Sequence, residues 1–274
     1  MILDWKKIAT KINENLKKEI SMLNDKPMLA AVLVWENEAS KVYVNAKRKA
    51  AESVGMLFRL VSLPEDIDQK TLEKEITSLS EDAKVSWYIV QLPLPNHIDS
   101  DKIINLIDPS KDVDWFTREN IWKLFYNDET WIQSCTPRWI KRLLDEYDVE
   151  LKWKNVTIIW KSNIVWKPLG LLFINHSATV TVCSSNTKDL KEHTLKSDII
   201  VSAVWKPKII GKEYIKKWSI LIDVWITRVD WKLYWDFDFD ELEKDNMITP
   251  VPWWVWPMTV AMLLENTYLA YKWK

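Results

Sequence analysis

Six short apolar runs, rich in β-branched residues, punctuate the chain at 28 to 34, 85 to 90, 155 to 160, 178 to 182, 198 to 204 and 220 to 224. Their length suits strands and falls short of helices, so they read as buried strands. Between them, stretches at about 5 to 22, 41 to 54, 69 to 80, 137 to 148, 167 to 175 and 187 to 195 carry helical patterning, with a last one at 257 to 272. Strand and helix alternate, which predicts an α/β protein with mainly parallel sheets. Local signals sharpen the boundaries. Ser40 is expected to cap the helix at 41 to 54, Gly55 to take the left-handed position after its end, and Pro257 to open the last helix. Strand signal falls away between 116 and 136, where a domain boundary is expected.

With 274 residues, 47% of them hydrophobic, the chain can bury a large core as one domain or two. Its 38 basic and 39 acidic residues nearly cancel, which argues against a surface built to track nucleic acid or an anionic membrane. No apolar run reaches the roughly 18 to 20 residues of a membrane span. Cys135 and Cys183 form no CxxC pair, and His97, His176 and His193 show no ligand spacing, so neither a metal nor a disulfide framework is expected. A cytoplasmic, soluble protein is the expectation.

The glycine and tryptophan counts are inverted. Glycine ordinarily makes up about 7% of residues, yet this chain has 3 glycines and 19 tryptophans. The tryptophans stand where chain geometry asks for glycine, as in Pro252-Trp253-Trp254-Val255-Trp256-Pro257 and at the strand exits Ile159-Trp160-Lys161 and Val204-Trp205-Lys206. An indole neither adopts positive φ cheaply nor lets a backbone approach a ligand closely.

Four constellations carry candidate chemistry. Tyr43 and Lys47 lie one helical turn apart on a single face; alone, they equally describe a half-buried aromatic beside a solvated charge. Gln91 ends a strand before the rigid Leu92-Pro93-Leu94-Pro95 segment, at the carboxyl edge where open α/β sheets place ligands. Asp112 and Asp114 flank Val113 and would point the same way in an extended chain, as a carboxylate pair for acid/base work or metal binding, or simply as a solvated loop or a helix cap. The strand at 155 to 160, the loop KSNIVWKP, the next helix and the strand ATVTV form a βαβ unit of dinucleotide-binding type, although Trp160 and Trp166 break the glycine pattern that a diphosphate needs.

Taken together, YVNAKRKAAESVGM, VQLPLPNHID, KDVDWF, CTPRWI, KSNIVWKP, ATVTVCSSNT, AVWKPKII, IDVWITRV and ITPVPWWVWPMTVAMLLENT resemble, in order and spacing, the signature blocks of the bifunctional methylenetetrahydrofolate dehydrogenase/methenyltetrahydrofolate cyclohydrolase family. In almost every block the departure is tryptophan where the family has glycine: Trp115, Trp139, Trp160, Trp166, Trp205, Trp225, Trp253, Trp254 and Trp256. The resemblance implies two α/β domains with a folate cleft between them. A catalytic domain would comprise 1 to 116 and 250 to 274, and a Rossmann-like NADP-binding domain 117 to 249, with homodimers formed through the latter. It implies that Lys47 is the catalytic lysine, that Tyr43 stacks on the folate, that Gln91 positions the lysine and that Asp114 holds the pterin. Val255 and Pro257 match the loop that closes over the folate. For the cofactor, Trp160, Lys161, Ser162 and Ser185 match positions near the diphosphate and adenosine ribose, and Ile226 one near the nicotinamide. A cation and hydroxyls there favour NADP over NAD, although Lys161 lacks the bidentate fork of the family's arginine.

The implied chemistry suits these residue types. Oxidising a methylene bridge leaves a methenyl cation, to which water must add before the ring opens, with a proton moved between oxygen and nitrogen. A lysine that is neutral part of the time can move it, and a neutral amide can orient that lysine without stabilising its charge as a carboxylate would. Two other readings stay open at this stage. One is an inert folded scaffold whose indoles block both ligand sites; the other is that more than a dozen misplaced indoles exceed the roughly 5 to 15 kcal/mol that a domain has to lose.

Overall fold

A computed structural model describes residues 1–35, 38–128, 132–160, 166–224, 227–230, 232–250 and 256–272. The chain divides into two compact units, one of Met1–Ala9 with Thr136–Thr259 and the other of Thr10–Cys135 with Val260–Lys274. Both are α/β, as the alternation predicts.

The second of these units carries a parallel sheet in the order β2-β1-β3, from β1 (Met28–Val34), β2 (Leu57–Leu63) and β3 (Trp87–Val90). The central strand β1 is apolar throughout, MLAAVLV, because helices and loops cover both faces of a parallel sheet. Strand β2 escapes the hydrophobic pattern: it ends the sheet order, is half exposed, and places Arg59 and Ser62 among its leucines. Helix α1 (Trp5–Ser21) buries Ile8, Ile12, Leu16 and Ile20 at intervals of four and turns its lysines to water. Helix α2 (Glu38–Ser53) begins two residues before the expected cap. Ser40 therefore lies inside its first turn, 4% exposed, and Glu38 supplies the acidic residue that a helix start favours. Gly55 does take the left-handed position, at φ +86°, with Met56 N–H closing back on Ala51 O at 3.0 Å. Asp68 starts α3 (Gln69–Glu81) by accepting from Thr71 N–H at 3.0 Å, and Leu72, Ile76 and Leu79 bury its inner face. Two short helices without clear periodicity follow, α4 (Ser100–Ile104) and α5 (Arg118–Phe125).

The other unit follows α6 (Cys135–Glu146) with β4 (Asn155–Trp160), α7 (Trp166–Asn175), β5 (Thr179–Cys183), α8 (Leu190–Thr194), β6 (Ile199–Ala203) and β7 (Ile220–Asp223). A hairpin of β8 (Thr227–Val229) and β9 (Lys232–Tyr234), the short α9 (Phe239–Leu242) and β10 (Met247–Ile248) complete it before α10 (Trp256–Lys272), which Pro257 enters in its first turn as expected. Five parallel strands pair in the order β10-β7-β6-β4-β5. Numbered from the first strand of this unit the order is 2-1-3-4-5, a doubly wound sheet whose direction of progression reverses between β4 and β6. The buried runs IIVSA and ILID form its centre.

Among the described non-glycine residues, eleven have positive φ, and five of these are tryptophan: Trp35, Trp115, Trp153, Trp205 and Trp218, at φ +64° to +78°. Four of the other six are Asn or Asp, which tolerate this region; an indole does not. A left-handed non-glycine residue costs roughly 1–2 kcal/mol, whereas introducing glycine costs about 0.4–1 kcal/mol through the unfolded chain. Trp153 and Trp218 are 84% and 80% exposed, so replacing them forfeits little burial. Trp153→Gly and Trp218→Gly are therefore each expected to stabilise the tryptophan-bearing chain by about 0.5–1 kcal/mol. The shift of the urea midpoint checks this, and a lowered midpoint would contradict the strain.

Candidate active site

Helix α2 places Tyr43 and Lys47 on one face, both half-buried. Lys47 Nζ donates to Gln91 Oε1 at 3.1 Å, across 44 residues of sequence. The orientation of that amide is fixed twice over. Its Nε2 donates to Leu92 O at 2.7 Å, and the Gln91 backbone N–H donates to Val32 O at 2.9 Å, continuing the β1–β3 ladder. With its nitrogen committed to a carbonyl, the amide has only its oxygen to offer the lysine. Among the described residues Lys47 makes no ion pair, so a neutral dipole alone orients it. The turn that follows contains a cis Leu92–Pro93 peptide.

The segment carrying Asp112 and Asp114 runs parallel to β3. Tyr88 bridges to Asp112, and Tyr88 N–H donates to Lys111 O at 3.1 Å. The two carboxylates sit in different surroundings, although, behind burial, the charge of Asp114 is one of the causes that raise the pKa of Asp112. Asp112 is 1% exposed and organises the loop, accepting from Trp115 N–H at 2.8 Å, Thr117 N–H at 2.9 Å and Asn120 Nδ2 at 3.1 Å. Burial pushes its carboxyl above the ordinary range, and the bonds from Thr117 and Asn120 oppose that. Asp114 remains half-buried, with Cys135 Sγ 3.7 Å from its Oδ1. Asn266 of α10 holds the adjoining backbone by donating to Val113 O at 3.0 Å and Gln133 O at 2.8 Å. The chain bends at Val113 and Asp114, so the extended backbone on which a common direction for the two aspartates depends is not formed.

In the doubly wound sheet, ligands bind outside the carboxyl ends of the strands at the reversal between β4 and β6. Trp160 ends β4, paired with Ala203 at the end of β6. Lys161, Ser162, Ile226 and Val255 lie outside the described residues. Ser185 is exposed in the turn after β5, which is built from Ser184 N–H to Thr187 Oγ1 at 2.8 Å and Asn186 N–H to Ser184 Oγ at 3.2 Å. From Ser184 to Thr187 the turn offers hydroxyls and an amide but no carboxylate, a donor set that fits a phosphorylated ribose better than a free one. Pro257 is half-buried at the start of α10.

A further cluster escapes sequence patterning altogether. The chain leaving β6 wraps around the carboxylate of Asp236, which accepts from Ser202 Oγ at 2.8 Å, Val204 N–H at 2.5 Å and Lys206 N–H at 2.9 Å. Asp236 is fully buried, and burial pushes its carboxyl upward against those bonds. Its own N–H and that of Phe237 donate to Asp223 Oδ2, at 2.7 and 3.2 Å, at the end of β7. Asn266, Asp223 and Asp236 act on backbone groups 13 or more residues away, so no local spacing could have marked them, whereas Asp112 takes its backbone donors from three and five residues on.

Cys135 and Cys183 are buried thiols, not joined in a disulfide. Among the described residues, no group of acidic, histidine or cysteine side chains could hold a metal ion, and no helix is long and apolar enough to cross a membrane.

Residues 3–114 match the family described as tetrahydrofolate dehydrogenase/cyclohydrolase, catalytic domain, and residues 134–274 that family's NAD(P)-binding domain. The bifunctional protein FolD of a Sulfurihydrogenibium species is 47% identical, over 99% of this chain and 98% of its own length. The crystal structure of the bifunctional enzyme FolD, methylenetetrahydrofolate dehydrogenase/cyclohydrolase, from Campylobacter jejuni superposes with a TM-score of 0.96 at 39% identity, covering 100% of this chain and 99% of that one. The Trypanosoma brucei methylenetetrahydrofolate dehydrogenase-cyclohydrolase, solved with NADP cofactor and inhibitor, gives a TM-score of 0.92 at 34% identity, covering 99% and 97%. By sequence over its full length, and by fold, the chain belongs to the tetrahydrofolate dehydrogenase/cyclohydrolase family.

Proposed function

We propose that this protein oxidises 5,10-methylenetetrahydrofolate with NADP and hydrolyses the resulting 5,10-methenyltetrahydrofolate to 10-formyltetrahydrofolate, using Lys47, Gln91, Tyr43 and Asp114. The observation that carries the site assignment is the 3.1 Å bond from Lys47 Nζ to Gln91 Oε1, with the amide held from its other side. When bound, NADP accepts the hydride. The protein supplies the rest. Tyr43 offers its ring to the aminobenzoyl portion of the folate, and Asp114 accepts from the amino and ring N–H groups of the pterin. After oxidation the substrate is a cation, so a neutral amide beside Lys47 suits it better than a carboxylate that would keep the lysine charged. Lys47 moves a proton from the attacking water to the departing ring nitrogen.

The cofactor preference rests on Ser185 and on the resemblance at Lys161 and Ser162; Trp160 and Ile226 line the same site in this reading, and Val255 and Pro257 the folate loop. A cytoplasmic homodimer is part of the proposal. The dimer is supported by β5, which ends the sheet order with Val182 42% exposed, and by α7, whose Ile174 is 54% exposed. In this reading the functional domains are 1 to 116 with 250 to 274 and 117 to 249, which differ from the compact units in leaving Met1–Ala9 and 250 to 259 with the catalytic domain and 117 to 135 with the cofactor domain. The tryptophans of the signature blocks occupy glycine positions of the family, and the activity belongs to the chain with glycine there. An inert scaffold is disfavoured by the near-complete alignment with bifunctional relatives.

In the chain carrying glycine at those positions, Lys47→Ala is expected to lower methenyltetrahydrofolate hydrolysis at least about 100-fold, the usual contribution of a positioned proton-transfer group. Following loss of the methenyl absorbance checks this, and near-normal hydrolysis would remove Lys47 from the mechanism.

The same chain is expected to prefer NADP to NAD. Comparing kcat/KM for the two cofactors is the test; equal values or a preference for NAD would withdraw Lys161, Ser162 and Ser185 from recognition of the 2′-phosphate.

A further inference from the structure

We propose that all nineteen tryptophan positions are glycine in the protein as its own cell makes it, because a single codon, here translated as tryptophan, is read there as glycine. The inference rests on the functional reading above but extends well past it, since the resemblance touches only nine positions. Geometry reaches three of the other ten. Trp35, Trp153 and Trp218 lie outside the signature blocks and still hold φ of +78°, +67° and +67°. Nothing about tryptophan selects left-handed backbone, whereas glycine is the default there. The side chains give a second line of support. Trp153 and Trp218 hold 84% and 80% of their surface in water, while Trp115 and Trp139 are buried with an indole N–H that finds no hydrogen-bond partner among the described residues. An aromatic residue selected for its ring avoids both situations.

Composition supplies a third. The 19 tryptophans outnumber the 8 tyrosines and 6 phenylalanines together, while the pooled 22 tryptophans and glycines of 274 residues come near the usual glycine share of about 7%. One cause acting on one codon exchanges two residue types everywhere and disturbs no other, which separate mutations do not do. UGA fits: it differs from the tryptophan codon UGG at the third base and from the glycine codon GGA at the first. Gly55, Gly170 and Gly211 are then the glycines that the gene spells with ordinary codons.

Peptide mass mapping of the protein purified from its source cells decides the matter. Glycine is expected at all nineteen positions, together with loss of tryptophan fluorescence. Tryptophan at any of the five left-handed positions overturns the proposal. So does a mixture, and Trp235 is the informative site for one, because its Nε1 donates well to Pro250 O at 3.1 Å. Assaying the purified protein separates the two readings: tryptophan with both activities sinks this proposal alone, and glycine without them sinks the functional reading alone.

A different observation carries a second proposal. We infer that Asp236 is a positioning residue for the dinucleotide. The reversal between β4 and β6 puts a nucleotide against the chain leaving β6, and that chain, Val204 to Lys206, is shaped by backbone bonds to one buried carboxylate. Both bonds fix peptide orientation on either side of residue 205, at φ +64°, and so decide how closely that backbone can meet a ligand. Asp236→Asn turns one acceptor into a donor facing an N–H. In the glycine-bearing chain it is expected to weaken NADP binding, read by calorimetry, and to raise the dehydrogenase KM for NADP at least about tenfold, while the cyclohydrolase step, which uses no cofactor, keeps its rate. Ser202→Ala, which removes only the side-chain bond, is expected to do the same more mildly. Unchanged NADP affinity, or loss of both activities in equal proportion, overturns the assignment.

Discussion

The constraint on which the rest of this structure depends is the sign of φ where strands meet their connections. A parallel sheet needs every strand to run the same way, so the chain must leave each carboxyl edge, cover a face and return, and the tight parts of that route require left-handed residues. Trp35 follows β1, Trp115 follows the Asp segment, Trp153 precedes β4, Trp205 follows β6 and Trp218 precedes β7. Two consequences meet at these points. Left-handed backbone favours a residue with no Cβ, and ligands of α/β sheets approach the carboxyl edges, where a missing side chain also makes room. The residues that shape the turns and the residues that would admit a ligand are thus partly the same.

Around those turns the protein relies on buried carboxylates that receive N–H groups. Asp112 collects two backbone donors and one side-chain amide, and Asp236 two backbone donors and a hydroxyl. Burial alone would favour the neutral acid; several donors converging on one group offset that cost. An arrangement of this kind is stiff, because moving the loop leaves several groups unsatisfied at once. Rigid loops at the carboxyl edges are what a reaction needs when it depends on holding a planar substrate and a proton-transfer group in fixed register. The lysine–glutamine pair obeys the same logic: a neutral partner, itself held by two further bonds, fixes the geometry of Lys47.

The sequence by itself determined the α/β class, because β1 is apolar throughout, β4, β6 and β7 are mostly apolar, and α1 and α3 carry clear helical patterns. Gly55 could be read as a left-handed cap, and the nine blocks sufficed for the family. Tertiary structure decided what depends on partners distant along the chain. Strand β2 is a strand because β1 lies beside it, not because its own residues alternate. Ser40 lost its expected capping role to a helix that starts earlier. Asp112 and Asp114 look equivalent in the sequence and become opposites in the fold, one buried under N–H groups and one left accessible, since only the bend at Val113 and Asp114 tells them apart. Asp236 gives no signal at all before folding brings it under the end of β6 from 30 to 34 residues away. Patterns of burial are local and repeat along the chain, so they can be read from it; hydrogen-bond partners across tens of residues are set by topology, and only the folded chain contains that.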